Sequence, residues 1–166
     1  MATVTLKGNA CQTSGDLPAV GSAAPDFLLV DVGLADRSLS DYSGKKKLIS
    51  IVPSLDTPVC ALSTKKFNEY ASQHSDTVIL VVAADLPFAM GRFCGAEGTD
   101  NVVPLSMMRT KQFADDYGVL LTDGPLAGVT ARAIVVLDEN NQVIYSELVG
   151  EIGDEPDYEA ALAALS

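Results

Sequence analysis

A cysteine stands where an apolar run gives way to a helix. Leu48-Ile49-Ser50-Ile51-Val52 reads as a buried strand, Pro53 to Cys60 as a connecting loop, and Ala61 to Ser72 as a helix. A sulfur in the first turn of a helix faces unpaired backbone N–H groups and the positive end of the helix dipole, both of which favour an anion. Such a setting suits a thiolate nucleophile. A lone cysteine is a weak signal, because free cysteines usually pack as small hydrophobes. Its surroundings strengthen it. Thr57 lies three positions earlier with a hydroxyl in reach of the same turn, Pro53 stiffens the loop, and Asp56 suits a turn, giving the pattern Pro-x-x-x-Thr-x-x-Cys.

Other reactive residues are few. Cys94 reads equally as a core cysteine or a second redox thiol, and Cys11 as a spare thiol or core filler. His74 is the only histidine. It lies at the far end of the helix, roughly 21 Å from Cys60 at ~1.5 Å per residue, too distant to serve as its base. The three cysteines and His74 lack the paired spacing of a zinc site, so no metal is expected, and no C-x-x-C occurs. Arg132, just before an apolar run, reads on residues alone as a surface charge. Lys45 to Lys47 read as a solvated strand entrance.

The elements that must position Cys60 follow from pattern. Residues 3–13 suggest a hairpin, 14–25 a linker ending at Pro25, and Asp26 to Val30 a short strand. Strand Leu48–Val52, helix 58–73 and strand Val78–Ala83 form a βαβ unit with parallel strands. On the helix, Val59, Leu62, Phe67 and Tyr70 predict an apolar stripe with Cys60 at its edge, mostly buried but reachable. Asp85-Leu86-Pro87 predicts a helix start, with Cys94 near the end and Gly95 as the stop; residues 95–103 are then loop. Met107 to Tyr117 predicts a helix ended by Gly118. Ala133–Leu137 and Gln142–Val149 predict an antiparallel hairpin, and residues after Asp157 a final helix. The order β-α-β then β-β-α predicts one α/β domain over 1–166, thioredoxin-like, with a central mixed sheet flanked by helices and an N-terminal hairpin extension.

Charge excludes some partners. The chain has 166 residues and a net charge of −11, from 22 acidic and 11 basic side chains. Nucleic acid and anionic membranes are recognised through Lys and Arg, so neither is expected as a partner. No secretory leader pattern is seen and the longest strictly apolar run, Val78 to Ala84, is far too short to span a bilayer. A reducing cytoplasmic setting is expected, where three cysteines are not a structural disulfide framework.

The sequence resembles the peroxiredoxins, and within them the bacterial thiol peroxidases, an atypical two-cysteine group. The likeness is carried by Pro53-x-x-x-Thr57-x-x-Cys60, Ala84-Asp85-Leu86-Pro87-Phe88-Ala89, Arg92-Phe93-Cys94-Gly95-Ala96-Glu97-Gly98, Asp123-Gly124-Pro125-Leu126, Ala131-Arg132-Ala133 and Glu155-Pro156-Asp157-Tyr158-Glu159-Ala160-Ala161-Leu162. It implies Cys60 as peroxidatic and Cys94 as resolving cysteine, joined in a redox disulfide. Thr57, Arg132 and Pro53 are their companions at the peroxide. It further implies reduction of hydrogen peroxide and alkyl hydroperoxides without metal, haem or flavin, thioredoxin as reductant, and a homodimer. Cys11 has no counterpart in the family pattern. A peroxide-responsive redox sensor using the same two cysteines is the alternative from a different class. A non-catalytic thioredoxin-like module would need Cys60 to have ordinary thiol reactivity.

Overall fold

A two-stranded hairpin, β1 (Thr3–Leu6) and β2 (Asn9–Gln12), precedes a seven-stranded sheet in the computed structural model, which describes all residues from Met1 to Ser166. The sheet is built from β3 (Leu29–Val30), β4 (Asp36–Arg37), β5 (Lys46–Ile51), β6 (Thr77–Ala83), β7 (Val103–Ser106), β8 (Ala133–Leu137) and β9 (Val143–Leu148). Four helices accompany it: α1 (Pro58–Gln73), α2 (Pro87–Glu97), α3 (Gln112–Asp116) and α4 (Tyr158–Ala163). The strand order is β4-β3-β7-β6-β5-β8-β9, with β5, β6 and β7 mutually parallel and the outer pairings antiparallel. This is the thioredoxin-like arrangement expected from the order β5-α1-β6 then β8-β9-α4.

Alternation with period two sorts the strand side chains to opposite faces of the sheet. Ile49, Ile51, Leu80, Val82, Val135 and Leu137 join Phe113 and Tyr117 on the α3 side. Leu48, Ile79, Val81, Ile134 and Val136 face the other way, under α1, α2 and α4. Both faces are covered, which is why the inner strands read as continuous apolar runs. Cys60 belongs to the second half of the core, beside Phe67 and Met90.

Helix α1 has the predicted bounds, with Pro58 at its first position, where a missing N–H costs nothing. Its buried face differs from the prediction. Cys60, Ser63, Thr64 and Phe67 turn inward at i, i+3, i+4 and i+7, while Leu62 is 44% exposed. The hydroxyls of Ser63 and Thr64 both donate to the Cys60 carbonyl, at 3.1 and 2.8 Å, so two polar side chains can be buried there. Truncating Phe67 would cost about 3–5 kcal/mol by the usual scale for buried aromatics.

Three other boundaries are corrected. Gly95 does not stop α2; the helix continues to Glu97 and closes on Gly98, which has φ +67 and donates to the Cys94 carbonyl. The strand β7 begins at Val103, the last residue read as loop, and runs through the unassigned 104–106; Met107 extends it by donating to the Ala83 carbonyl at 2.9 Å, leaving α3 only Gln112 to Asp116 of the predicted 107–117 helix. The first strand shrinks from 26–30 to Leu29–Val30 because Asp26 spends its carboxylate on the N–H groups of Phe27 and Leu39. Gly118 does end the α3 region as predicted. Its φ is +69 and a Cβ there would lie 2.3 Å from the Asp16 carbonyl oxygen, so only glycine fits.

The lysine cluster also departs from a solvated entrance. Lys47 is fully buried, its ammonium donating to Asn141 Oδ1 at 2.6 Å. Burial pushes its pKa down, with Asp138 and Glu139 opposing. No helix is long and apolar enough to cross a membrane.

Candidate active site

The chain leaves β5 into a loop that is tied down before α1 begins. Val52 donates to the Val82 carbonyl at 3.0 Å, and its own carbonyl accepts from the buried Thr130 hydroxyl at 2.9 Å. Asp85, two residues beyond the end of β6, accepts from Ser54 Oγ and from the Leu55 N–H, each at 2.7 Å. Neighbouring parallel strands end on the same edge, so a carboxylate after one strand can clamp the loop after the next. The sequence reading took Asp85 only as a helix start; its signal was this position, one acid at the carboxyl end of an adjacent strand. Pro53 is buried within the clamped segment.

Thr57 is the N-cap residue of α1, and its hydroxyl donates to the Ser54 carbonyl at 3.0 Å. Its proton is thereby committed, leaving oxygen lone pairs as acceptors. The first helical bond runs from the Ala61 N–H to the Thr57 carbonyl, so the N–H groups of Val59 and Cys60 precede the ladder.

Cys60 has no exposed surface, where the sequence predicted an approach from one side. Arg132, read locally as a surface charge, is only 3% exposed and sends Nη1 to Cys60 Sγ at 3.0 Å. Its Nε donates to the Ile152 carbonyl at 3.0 Å. None of the ion pairs includes Arg132. A guanidinium is permanently charged, and a buried charge needs a partner. The sulfur is its one side-chain acceptor.

Tyr158 of α4 closes another side, its ring edge-on to Phe67 at 5.5 Å. Burial, then the hydrogen bond to Glu155, pushes its phenol up; the Arg132 charge pulls the other way. The sequence assigned Tyr158 no role. Its signal was an aromatic one residue into a helix on the Cys60 side of the sheet. A cavity of about 540 Å³ lies beside this cluster rather than within it, between Ser54–Asp56 and the α2 residues Ala89, Arg92 and Phe93.

Cys94 lies on α2, one turn before its end, half-buried against the same half of the core as Cys60. Helices α1 and α2 are joined by the Lys65–Glu97 ion pair at 2.6 Å, and the Asn68 side chain accepts from the Asn101 N–H at 2.7 Å. All three cysteines are free thiols. Burial pushes the Cys94 thiol up. Thr99, whose buried hydroxyl closes no hydrogen bond, pulls it weakly down. Cys11 sits in a separate small core with Val4, Leu121, Ala131 and Ile152. His74 caps the far end of α1, stacked on Tyr70 with ring centroids 3.8 Å apart.

A family model described as Redoxin matches residues 19–162. The thiol peroxidase of Mycobacterium bovis is 56% identical over 165 residues, covering 99% of each chain. The chain belongs to the redoxin family, among the thiol peroxidases. Solved structures agree. A peroxiredoxin-like protein from Aquifex aeolicus superposes with a TM-score of 0.92 at 39% identity, covering 99% of this chain and 96% of that one. The thiol peroxidase from Chromobacterium violaceum gives 0.91 at 30% identity, over 98% and 94%. A thiol peroxidase reduces a peroxide at a cysteine, and Cys60 is the cysteine of this chain whose sulfur meets a guanidinium.

The shift at Cys94 is directly testable. In a Cys11→Ser, Cys60→Ser variant, alkylation of Cys94 by iodoacetamide stays slow at neutral pH and rises with a midpoint above the ordinary thiol value of 9.0. Thr99→Val moves that midpoint further up. A midpoint at or below the ordinary value contradicts the burial effect.

Proposed function

We propose that the chain reduces hydrogen peroxide and alkyl hydroperoxides at Cys60, passes the oxidation to Cys94 as an intramolecular disulfide, and is recycled by thioredoxin. The observation that carries this reading is the 3.0 Å contact between Arg132 Nη1 and Cys60 Sγ inside the core.

Ionisation of the sulfur alone does not make a fast peroxidase. Taking a thiol from pKa ~8.5 to ~6 raises its thiolate fraction at pH 7 about 30-fold. The accompanying loss of nucleophilicity is roughly 10- to 20-fold. The two nearly cancel. The larger contribution must act on the O–O bond as it breaks and negative charge builds on oxygen. In this reading the Cys60 thiolate attacks the terminal oxygen of the hydroperoxide. An S–O bond forms, the O–O bond breaks, and the departing alkoxide or hydroxide takes up the proton that the Cys60 thiol released on ionising, leaving as alcohol or water. Arg132 supplies a fixed charge at that moment. The Thr57 oxygen accepts a hydrogen bond from the terminal O–H of the hydroperoxide, whose proton stays on that oxygen as it becomes the sulfenic acid, and the N–H groups of Val59 and Cys60 align the oxygens. Pro53 shapes the wall beside them.

The Cys60 sulfenic acid then condenses with the Cys94 thiol, forming an S–S bond and releasing water. Both sulfurs face the same half of the core, on helices already linked to each other, which supports the pairing. Cys60 is in a first turn and Cys94 is one turn from a helix end, so local unwinding of both brings them together. Thioredoxin dithiol returns the pair to thiols in a reducing cytosol. A homodimer is supported by Leu86 and Phe88, 53% and 66% exposed at the start of α2, next to the half-exposed Val32 that lies against Gly91.

Thr57→Val, which removes the acceptor that aligns the hydroperoxide, and Arg132→Met, which removes the charge on the breaking bond, are each expected to slow peroxide reduction by at least about 10²-fold in stopped-flow assays, for Arg132 the scale of losing one oxyanion donor. Near wild-type rates in either variant refute the assigned roles. Peptide mapping after one equivalent of peroxide is expected to recover a Cys60–Cys94 link. A Cys11–Cys60 link excludes the pairing, and consumption of only a single equivalent with thioredoxin and its reductase favours a sensor over an enzyme. Phe88→Asp is expected to convert a dimer to a monomer by analytical ultracentrifugation; a wild-type monomer removes the dimer.

A further inference from the structure

We propose that Glu151 is a positioning residue for Arg132, so that the N-terminal hairpin is a working part of the active site. The inference rests on the roles given above to Cys60 and Arg132.

The guanidinium is held at two points, Nη1 on the sulfur and Nε on the Ile152 carbonyl. Two contacts fix the plane of a rigid fork; with one, it swings. The direction of Arg132 therefore depends on where the Ile152 carbonyl points. That carbonyl belongs to the segment after β9, and the segment is held mainly by the hairpin. Thr5 donates to the Gly150 carbonyl at 2.7 Å and its own carbonyl accepts from the Ile152 N–H at 2.8 Å, bracketing Glu151 from both sides. The Ile152 side chain is buried against Val4 and Cys11 of the two hairpin strands.

Glu151 completes the bracket. Its Oε2 accepts from Thr5 Oγ1 at 2.6 Å and from the Gly8 N–H at 3.2 Å; its Oε1 accepts from the Lys7 N–H at 2.8 Å and, more weakly, from the Gly153 N–H at 3.4 Å. All four partners are donors, so a carboxylate satisfies them and an amide, with one donor end of its own, cannot. The hairpin turn is shaped for this contact. Lys7 has φ +51 and Gly8 φ +81, a pair of left-handed residues whose N–H groups converge on the acid. A lysine in that conformation is unfavourable on its own, so the contact compensates a local strain. These bonds hold the Glu151 carboxyl down to about 2, the Thr5 hydroxyl contributing most. Its folded value lies below the unfolded one, so the strap is fully present above about pH 4.5 and is lost only as pH falls toward 2.

A residue that merely anchors the hairpin would affect stability and leave the chemistry of the folded protein alone. The test separates the two. In Glu151→Gln, folded by circular dichroism, single-turnover oxidation of Cys60 by hydrogen peroxide is expected to slow about 10-fold or more, the scale of a displaced catalytic group. Alkylation of Cys60 by iodoacetamide, which does not use the Arg132 fork on oxygen, is expected to fall much less. The Arg132 Nε–H resonance should exchange faster with solvent. Thr5→Val removes one bond of the strap, keeps the strand pairing, and should show the same pattern more weakly if Glu151→Gln does not fold. Peroxide rates within about twofold of wild type in the folded variant, with Nε–H protection intact, overturn the inference. An unchanged rate in Arg132→Met instead overturns the reading of the site on which it depends.

Discussion

A permanently charged guanidinium buried against a cysteine sulfur is the constraint that the rest of this structure serves. The guanidinium alone would be a burden. Removing one member of a buried charge pair commonly costs about 3–5 kcal/mol, because the survivor stays uncompensated. The pair is also asymmetric. A sulfur anion can escape by taking a proton, whereas arginine cannot give one up. The cation is therefore the fixed element, and the sulfur is the side-chain acceptor placed against it. The 3.0 Å contact concentrates a field at one atom in a region without exposed surface, where water screens it little.

Holding two groups that far apart in sequence requires restraint from several directions. Parallel pairing of β5 and β6 brings the loop before Cys60 next to Asp85, which grips Ser54 and Leu55. Antiparallel pairing of β5 with β8 brings Arg132 to the same edge. The carbonyl that orients it arrives from beyond β9, and the hairpin at the amino end fixes that carbonyl. Few of these restraints are strong singly, but each removes a direction in which the sulfur or the guanidinium could drift.

What could be read from sequence follows the range of the interaction that decided it. Cys60, Thr57 and the start of α1 were legible because a strand, a loop and a proline at the first helical position lie within a dozen residues. The hairpin and the β8–β9 pair were legible for the same reason. The burial of Arg132 was not, since its local context is that of any charge before a strand and only the family likeness singled it out. Its second anchor, the Ile152 carbonyl, is a backbone atom that leaves no mark on side-chain type. Gly95 reads as the helix stop because it is the first glycine after Cys94; the helix runs on to Gly98, which adopts the left-handed backbone. Residues 107–111 have a helical pattern, yet Met107 is drawn into the sheet by its bond to Ala83, a long-range contact that outweighs propensity. Leu62 misled the helical wheel because Ser63 and Thr64 found internal acceptors and could be buried in its place.

The separation of Cys60 from its guanidinium by 72 residues matters while the chain is still being made. At translation speeds of about 5–20 residues per second, the sulfur leaves the ribosome roughly 4–14 seconds before the arginine that packs against it. The last anchor, beyond β9, comes later still. A nascent chain thus carries Cys60 without the Arg132 guanidinium beside it through the period when its core is only partly formed. The pairing of sulfur and guanidinium arrives only with the closing of the fold, so the site described above exists in the finished molecule and not in the unfinished one.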